Sequence, residues 1–200
     1  MNPPSSPKPA CRRSSLRGIT TLGLACLLGA LGATVHAEPE AAWEPLRDGS
    51  VILFRHAMAP GGGDPPGATL NDCRTQRNLD EAGRAQARNI GAAFRARGVD
   101  VGSVLTSQWC RTRETAALAF PGRGRDDVRF NSFFGDASKE VPQTEAALAM
   151  LSQWRGPGVL VVVTHQVNIT ALTGIVPSSG EGVIVRPKGQ GIDVLGRLQP

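Results

Sequence analysis

The chain has 200 residues, with 22 Lys and Arg against 17 Asp and Glu, a formal net charge of +5, four cysteines and no tyrosine. Four of the basic residues and none of the acidic ones lie in the first 37, so the other 163 residues carry only +1. Nucleic-acid binding needs a basic face on the folded domain, and this distribution gives no argument for one. The remaining length suits one domain around one core.

Lys8, Arg12, Arg13 and Arg17 precede a run of apolar and small residues from Gly18 to Ala33, and Val35-His36-Ala37 puts small residues at the two positions of an A-x-A-like cleavage site. That is the layout of a secretory signal peptide, so residues 1–37 are expected to be removed on export to the periplasm or beyond. The competing reading, a membrane anchor, meets a run too short and too rich in Gly and Ala to span a bilayer well, and no stable span is expected after cleavage. Arg12-Arg13-Ser14-Ser15-Leu16 matches a twin-arginine signal poorly, since Ser15 stands where an apolar residue belongs. Cys26, after Leu24-Ala25, is a lipoprotein signal weakened by Gly23 and by the apolar run that continues past it. Cys11 and Cys26 leave with this segment. Cys73 and Cys110 remain, an even pair in a chain bound for an oxidising compartment, either bridged or present as two separate buried thiols.

Residues 38–49 read as a lead-in, with Pro39 and Pro45 discouraging regular structure. Val51 to Phe54 is a continuous β-favouring apolar run, as in a strand buried on both faces, and it stops at Arg55-His56. Residues 60–72, with Gly61-Gly62-Gly63 and Pro65-Pro66-Gly67, form an irregular loop. The Gly run is no P-loop, because no Gly-Lys-Ser/Thr follows. Asp80 to Arg97 reads as a helix with Asp80 as N-cap and Gly98 as terminator. Ala82, Ala85, Ile90, Ala93 and Phe94 supply its apolar face, with Arg84, Arg88 and Arg95 in solvent. Val104-Leu105 is a short strand running into Thr106-Ser107, and Arg111 to Phe120 a second helix stopped by Pro121-Gly122. A polar loop from Arg123 to Asp127 precedes a strand at Val128 to Phe130, and Thr144 to Trp154 is a third helix. Val159 to Val163 is a buried strand ending at Thr164-His165. A helix starts near Asn168, and Val183 to Val185 is a later strand.

Strands alternating with helices argue for an α/β fold, a three-layer sandwich around a mostly parallel central sheet. Ligands of such folds gather at the carboxyl ends of strands. Three predicted strands end in polar sets: Arg55-His56, Thr106-Ser107 with Arg111 beyond, and Thr164-His165. Arginine forks match phosphate oxygens and stay charged. A neutral imidazole can attack phosphorus when its other nitrogen is fixed as a donor. Phosphoryl transfer asks for in-line positioning and stabilisation of oxygen charge, so this set needs no metal or other cofactor. Each residue alone has a plainer reading, His165 as a core histidine and Arg111 as a surface arginine; the joint placement at strand ends favours a site. With only His56 and His165 left after signal removal, and no HExxH or CxxC spacing, a metal centre lacks ligands.

Leu53-Phe54-Arg55-His56-Ala57 resembles the nucleophile motif of the histidine phosphatase superfamily, the phosphoglycerate mutase-like proteins, with Ala57 where glycine is usual. Leu79-Asp80-Glu81-Ala82-Gly83-Arg84-Ala85-Gln86-Ala87 is similar to that family's first-helix signature, with Asp80 replacing threonine. Ser107 to Ala116 is similar to the segment supplying the second phosphate-binding arginine, and Val163-Thr164-His165 to the one supplying the second histidine. The four stretches occur in family order. The resemblance implies a phosphoglycerate mutase-like fold and a phosphohistidine on His56. It also implies that Arg55, Arg111 and His165 hold the phosphoryl oxygens. Asn168 would add a hydrogen bond or cap its helix.

The proton donor departs from the pattern. Many relatives carry a glutamate just after the third strand, where alignment puts Ser132; in another branch the acid follows the second histidine, where this chain has Gln166. The remaining candidates are Glu140, preferred, then Asp136, with Asp64 and Asp72 behind. Export and small size make the exported lipopolysaccharide core heptose-phosphate phosphatases the relatives nearest in character. They suggest a small phosphorylated substrate such as an envelope sugar phosphate. A catalytically silent phosphate-binding or regulatory protein with the same pocket is the alternative.

Overall fold

In a computed structural model of the protein, residues 40–200 are described; the expected signal segment, residues 1–37, lies outside them. A six-stranded sheet forms the middle layer. In chain order its strands are β1 (Val51–Arg55), β2 (Val101–Thr106), β3 (Gly124–Asp126), β4 (Val159–Thr164), β5 (Gly182–Lys188) and β6 (Gly191–Leu198). Across the sheet the order is β3-β2-β4-β1-β5-β6. The contacts β3–β2, β2–β4 and β4–β1 are parallel, while β5 and β6 close one side as an antiparallel hairpin. Helices α1 (Glu81–Ala96), α2 (Cys110–Ala119), α3 (Glu140–Leu151) and α4 (Gln166–Thr173) complete the layers. Among the described residues, no helix is long and apolar enough to cross a membrane.

The alternation of strand side chains builds two cores. Ile52 and Phe54 of β1 and Val159, Val161 and Val163 of β4 face Ile90 and Phe94 of α1 and Ala116 and Ala119 of α2. Val51, Leu53, Leu160 and Val162 point the other way, onto Ala147 and Leu151 of α3 and Ile169 of α4. Strands covered on both faces must be apolar at every position, which is why β1 and β4 read as unbroken hydrophobic runs.

Several expectations are corrected. Val128–Phe130 is a 3-10 turn, not a strand, and it buries Phe130 completely. The third strand is instead Gly-Arg-Asp at 124–126, inside the presumed polar loop and exposed throughout. Helix α3 begins at Glu140, with Pro142 in the first turn where its missing N–H breaks no helical bond. Helix α4 begins at Gln166, directly after His165. On α1 the buried residues are Gly83, Ala87, Ile90, Gly91 and Phe94, whereas Ala82 and Ala85 are exposed. Arg84 is only half-exposed: it pairs with Glu114 of α2 at 3.0 Å and donates to the Leu79 carbonyl at 3.1 Å. Asp80 accepts from the Gly83 N–H at 2.7 Å as the N-cap.

Candidate active site

The parallel register sets the site. Arg55 stands opposite Thr164, and Thr106 opposite Val163, so the three strands stop at one level. Two backbone bonds extend the ladder one residue further: His56 N–H to the Thr164 carbonyl at 2.9 Å, and Ser107 N–H to the Val163 carbonyl at 3.0 Å. His56, Ser107 and His165 are thereby placed side by side at the carboxyl edge, with the two imidazole centroids 5.5 Å apart.

Behind His56 the chain leaves β1 and packs directly onto α1. A Cβ on Gly83 would stand 1.9 Å from the Met58 carbonyl oxygen, so only glycine lets the strand-end loop approach this closely. Gln86 takes the Met58 N–H at 3.0 Å and gives its own amide to Ser179 at 2.8 Å. Thr115 of α2 accepts from Ala57 N–H at 3.1 Å. Helices α1 and α2 thus both hold the loop that follows His56.

The His56 Nδ1–H donates to the Ala57 carbonyl at 2.7 Å, which leaves the lone pair on Nε2. Burial lowers the His56 pKa to about 3; the Ala57 bond opposes this, while Arg111, Arg77 and Arg55 add to it by repulsion. The ring is therefore neutral at physiological pH. Burial likewise holds His165 well below its ordinary value, followed by repulsion from Arg111. Its Nδ1 accepts from Arg111 Nη2 at 3.4 Å, and its Nε2–H donates to Ser107 Oγ at 2.8 Å. Ser107 in turn donates to Asn131 Oδ1 at 3.3 Å, and the same oxygen accepts the Gln108 N–H at 2.8 Å.

Three guanidinium groups, not two, line the cavity. Arg111, 3 % exposed, lies in the first turn of α2, with its guanidinium 4.9 Å from the Trp109 ring centre. Arg55 is held by the Pro177 carbonyl at 3.0 Å. Arg77, which sequence reasoning missed, donates to the carbonyls of Ala59 and Gly61 and so ties down the glycine loop. Burial lowers the Arg111 pKa; attraction to Asp64 opposes this, and repulsion from Arg77 and Arg55 reinforces it. An arginine in such a setting stays charged. The Nε of Arg55, Arg77 and Arg111 are all buried without a hydrogen-bond partner. Three convergent cations with unspent donors are a setting for an anion with several oxygens.

The cavity has a volume of about 260 Å³; beyond the histidines and arginines its walls are Gly61–Gly63, Asp64, Ser132, Phe134, Gln166 and Val167. At Gly63, Asp64, Ser132 and Phe134 it adjoins a second groove, which Trp109 and Lys139 also border. Among the described residues Asp64 is thus the one carboxylate in the wall of the histidine cavity. The other candidate acids lie outside that cavity, Asp136 in the wall of the second groove. Glu140 is exposed at the start of α3 and faces a depression beyond Gln166 and Val167, which border both. Asp136 is exposed and bonded to Ser138 and Lys139, contacts that hold its carboxyl below the usual range and favour the ionised form. Asp72 pairs with Arg74. Asn168 neither caps α4 nor lines the cavity: it is buried and donates to the Asn131 carbonyl at 2.8 Å.

Cys73 and Cys110 are joined in a disulfide with Cα atoms 5.7 Å apart. It ties the segment bearing Arg77 to the residue before Arg111. Gln76 reinforces the link by accepting the Cys110 N–H at 2.8 Å and donating to the Thr69 carbonyl at 2.7 Å. The helix N-terminus gains from Gln76 a partner that its N-cap Trp109 does not supply.

The layers and the sheet order are those of a phosphoglycerate mutase-like α/β fold. Residues 51–133 match the histidine phosphatase superfamily (branch 1). Among solved structures the chain is similar to SixA from Agrobacterium tumefaciens, with 22% identity over 76% of this chain and 99% of that one, and a TM-score of 0.51. It is also similar to a phosphoglycerate mutase from Thermus thermophilus, at 18% identity over 74% and 98% of the two chains and a TM-score of 0.51. A phosphoserine phosphatase from Entamoeba histolytica is 13% identical over 74% and 95%, with a TM-score of 0.52. No curated protein matches the chain.

Proposed function

We propose that the protein is an exported phosphomonoesterase that forms a phosphohistidine on His56. The observation that carries this reading is the state of that ring. It is buried and neutral, with Nδ1–H committed to a carbonyl and Nε2 free within a ring of three arginines. Such a nitrogen is a ready nucleophile toward phosphorus, and the guanidinium groups stabilise charge on the equatorial oxygens. Arg55, Arg111 and the additional Arg77 take those oxygens. His165 lies beside them in the cavity wall, its ring fixed between Ser107 and Arg111. The His56 Nε2 lone pair bonds to phosphorus as the ester bond to the leaving oxygen breaks; water then attacks phosphorus, the P–N bond breaks, and its electron pair returns to Nε2.

The small cavity fits a phosphoryl group, and the adjoining groove, with Trp109, Phe134 and Lys139, offers apolar faces and a cation to a polar ring. That supports a sugar phosphate, and with export an envelope sugar phosphate, as substrate. The Cys73–Cys110 disulfide supports an oxidising compartment. A screen of the purified protein over sugar phosphates, nucleotides and phosphopeptides tests the reading. Hydrolysis of sugar phosphates, abolished in His56→Ala, is the expected result. Phosphate binding without turnover of any ester would favour the silent, regulatory alternative.

A further inference from the structure

We propose that Asp64 is the catalytic proton donor of this pocket; the assignment rests on the phosphohistidine reading above. Among the described residues the wall of the cavity holds one carboxylate, and Ser132 and Gln166, which also line it, cannot give up a proton at neutral pH. Asp64 also stands at the right depth. It borders both the histidine cavity and the outer groove, so it sits at the junction where the oxygen between phosphoryl group and leaving group must lie.

Its carboxylate is held on one side only. Oδ1 accepts from Arg111 Nη1 at 2.8 Å and from the Arg77 N–H at 3.0 Å. Among the described residues Oδ2 has no hydrogen-bond partner, and the side chain is 17% exposed. One oxygen is therefore an anchor and the other is available. The two arginines that hold Asp64 are two of the three that line the phosphoryl cavity, which couples its position to the presence of substrate.

The proton balance follows. A phosphomonoester entering as the monoanion carries one proton. As Arg55, Arg77 and Arg111 engage the phosphoryl oxygens, that proton passes to Asp64 Oδ2. The His56 Nε2 lone pair then bonds to phosphorus, the bond from phosphorus to the leaving oxygen breaks, and the proton moves from Oδ2 to that oxygen. In the second half, the Asp64 carboxylate accepts a proton from the attacking water as the P–N bond breaks, and the departing phosphate carries that proton away, which resets the carboxylate.

The test is the dependence of rate on leaving group. Asp64→Asn keeps Oδ1 as an acceptor for the Arg77 N–H but cannot donate as an acid. Turnover of an alkyl or sugar phosphate, whose alkoxide leaves poorly, should fall about 100- to 10,000-fold, the usual contribution of acid catalysis. Turnover of dinitrophenyl phosphate, whose leaving group needs no proton, should change less than about tenfold, and its retention also reports a folded pocket. Asp64→Glu should recover part of the alkyl phosphate rate. Equal losses on both esters would overturn the assignment and make Asp64 an anchor for Arg111. An unchanged alkyl phosphate rate would overturn it too, while phosphoryl label on His56 would leave the phosphohistidine reading standing. A wild type that turns over neither ester and takes no label would instead sink that reading.

Discussion

A neutral histidine buried among cations has a thermodynamic signature independent of any substrate. His56 has an ordinary pKa near 6.5 in the unfolded chain and about 3 in the folded protein, chiefly through burial. Between these values the unfolded state binds one more proton, so stability rises with pH across that window and is lost as pH falls from about 6.5 toward 3. Each unit is worth about 1.4 kcal/mol, and lowering the pH from about 7.5 to about 5 should cost about 2 kcal/mol through His56 alone. The perturbation is His56→Asn, which keeps an N–H near the Ala57 carbonyl and does not titrate. Urea unfolding of wild type and variant at the two pH values isolates the term, because carboxylates and His165 contribute to both. The wild type should lose about 2 kcal/mol more than the variant on acidification. Equal losses, or a folded-state His56 ring titrating near 6.5 by NMR, would refute the reasoning.

Three further outcomes follow from particular contacts. Ser107→Ala strips the His165 Nε2–H of its acceptor; stability should fall by about 1–3 kcal/mol in denaturant unfolding and kcat/KM by about 10- to 100-fold. An unchanged kcat/KM would mean that His165 is positioned without it. Replacing Cys73 and Cys110 by serine removes a cross-link spanning 37 residues, and equilibrium unfolding should show a loss of about 4 kcal/mol. Gly91→Ala would place its Cβ 2.1 Å from the Ala119 carbonyl, forcing α1 off α2, and thermal unfolding should register a loss of about 1–3 kcal/mol. Gly62→Ala, with open space around it, is the matched control and should be near neutral.

How much of this was legible in the sequence depended on burial. Strands β1 and β4 are covered on both faces, so every position carries an apolar signal and their abrupt polar ends marked the site. Strand β3 is an exposed edge held by backbone pairing to β2, which Gly-Arg-Asp does not advertise. Strand β6 is missed for a similar reason: all its residues but Leu198 are at least partly exposed, and its pairing with β5 is a matter of backbone. Phe130 misled in the other direction, since a single buried aromatic on a 3-10 turn resembles the end of a strand. At the site, His56, Arg55, Arg111 and His165 stood beside regular elements and could be placed by them. Arg77 and Asp64 lie in loop segments without periodicity, and a disulfide and side-chain-to-backbone bonds carry them to the cavity. The one available signal for Arg77 was its place just before the Leu79–Asp80 helix start. Glu140 looked nearer to the chemistry than it is because the extent of α3 toward its N-terminus was not visible around Pro142.

The central claim is that a phosphoryl group passes through His56 Nε2. Rapid quenching of the protein with phosphorus-labelled dinitrophenyl phosphate, followed by peptide mapping, tests it directly. The account predicts acid-labile, base-stable label on the peptide containing His56, and none in His56→Ala. Label that persists in His56→Ala, or hydrolysis by the wild type with no labelled enzyme at any quench time, would contradict it.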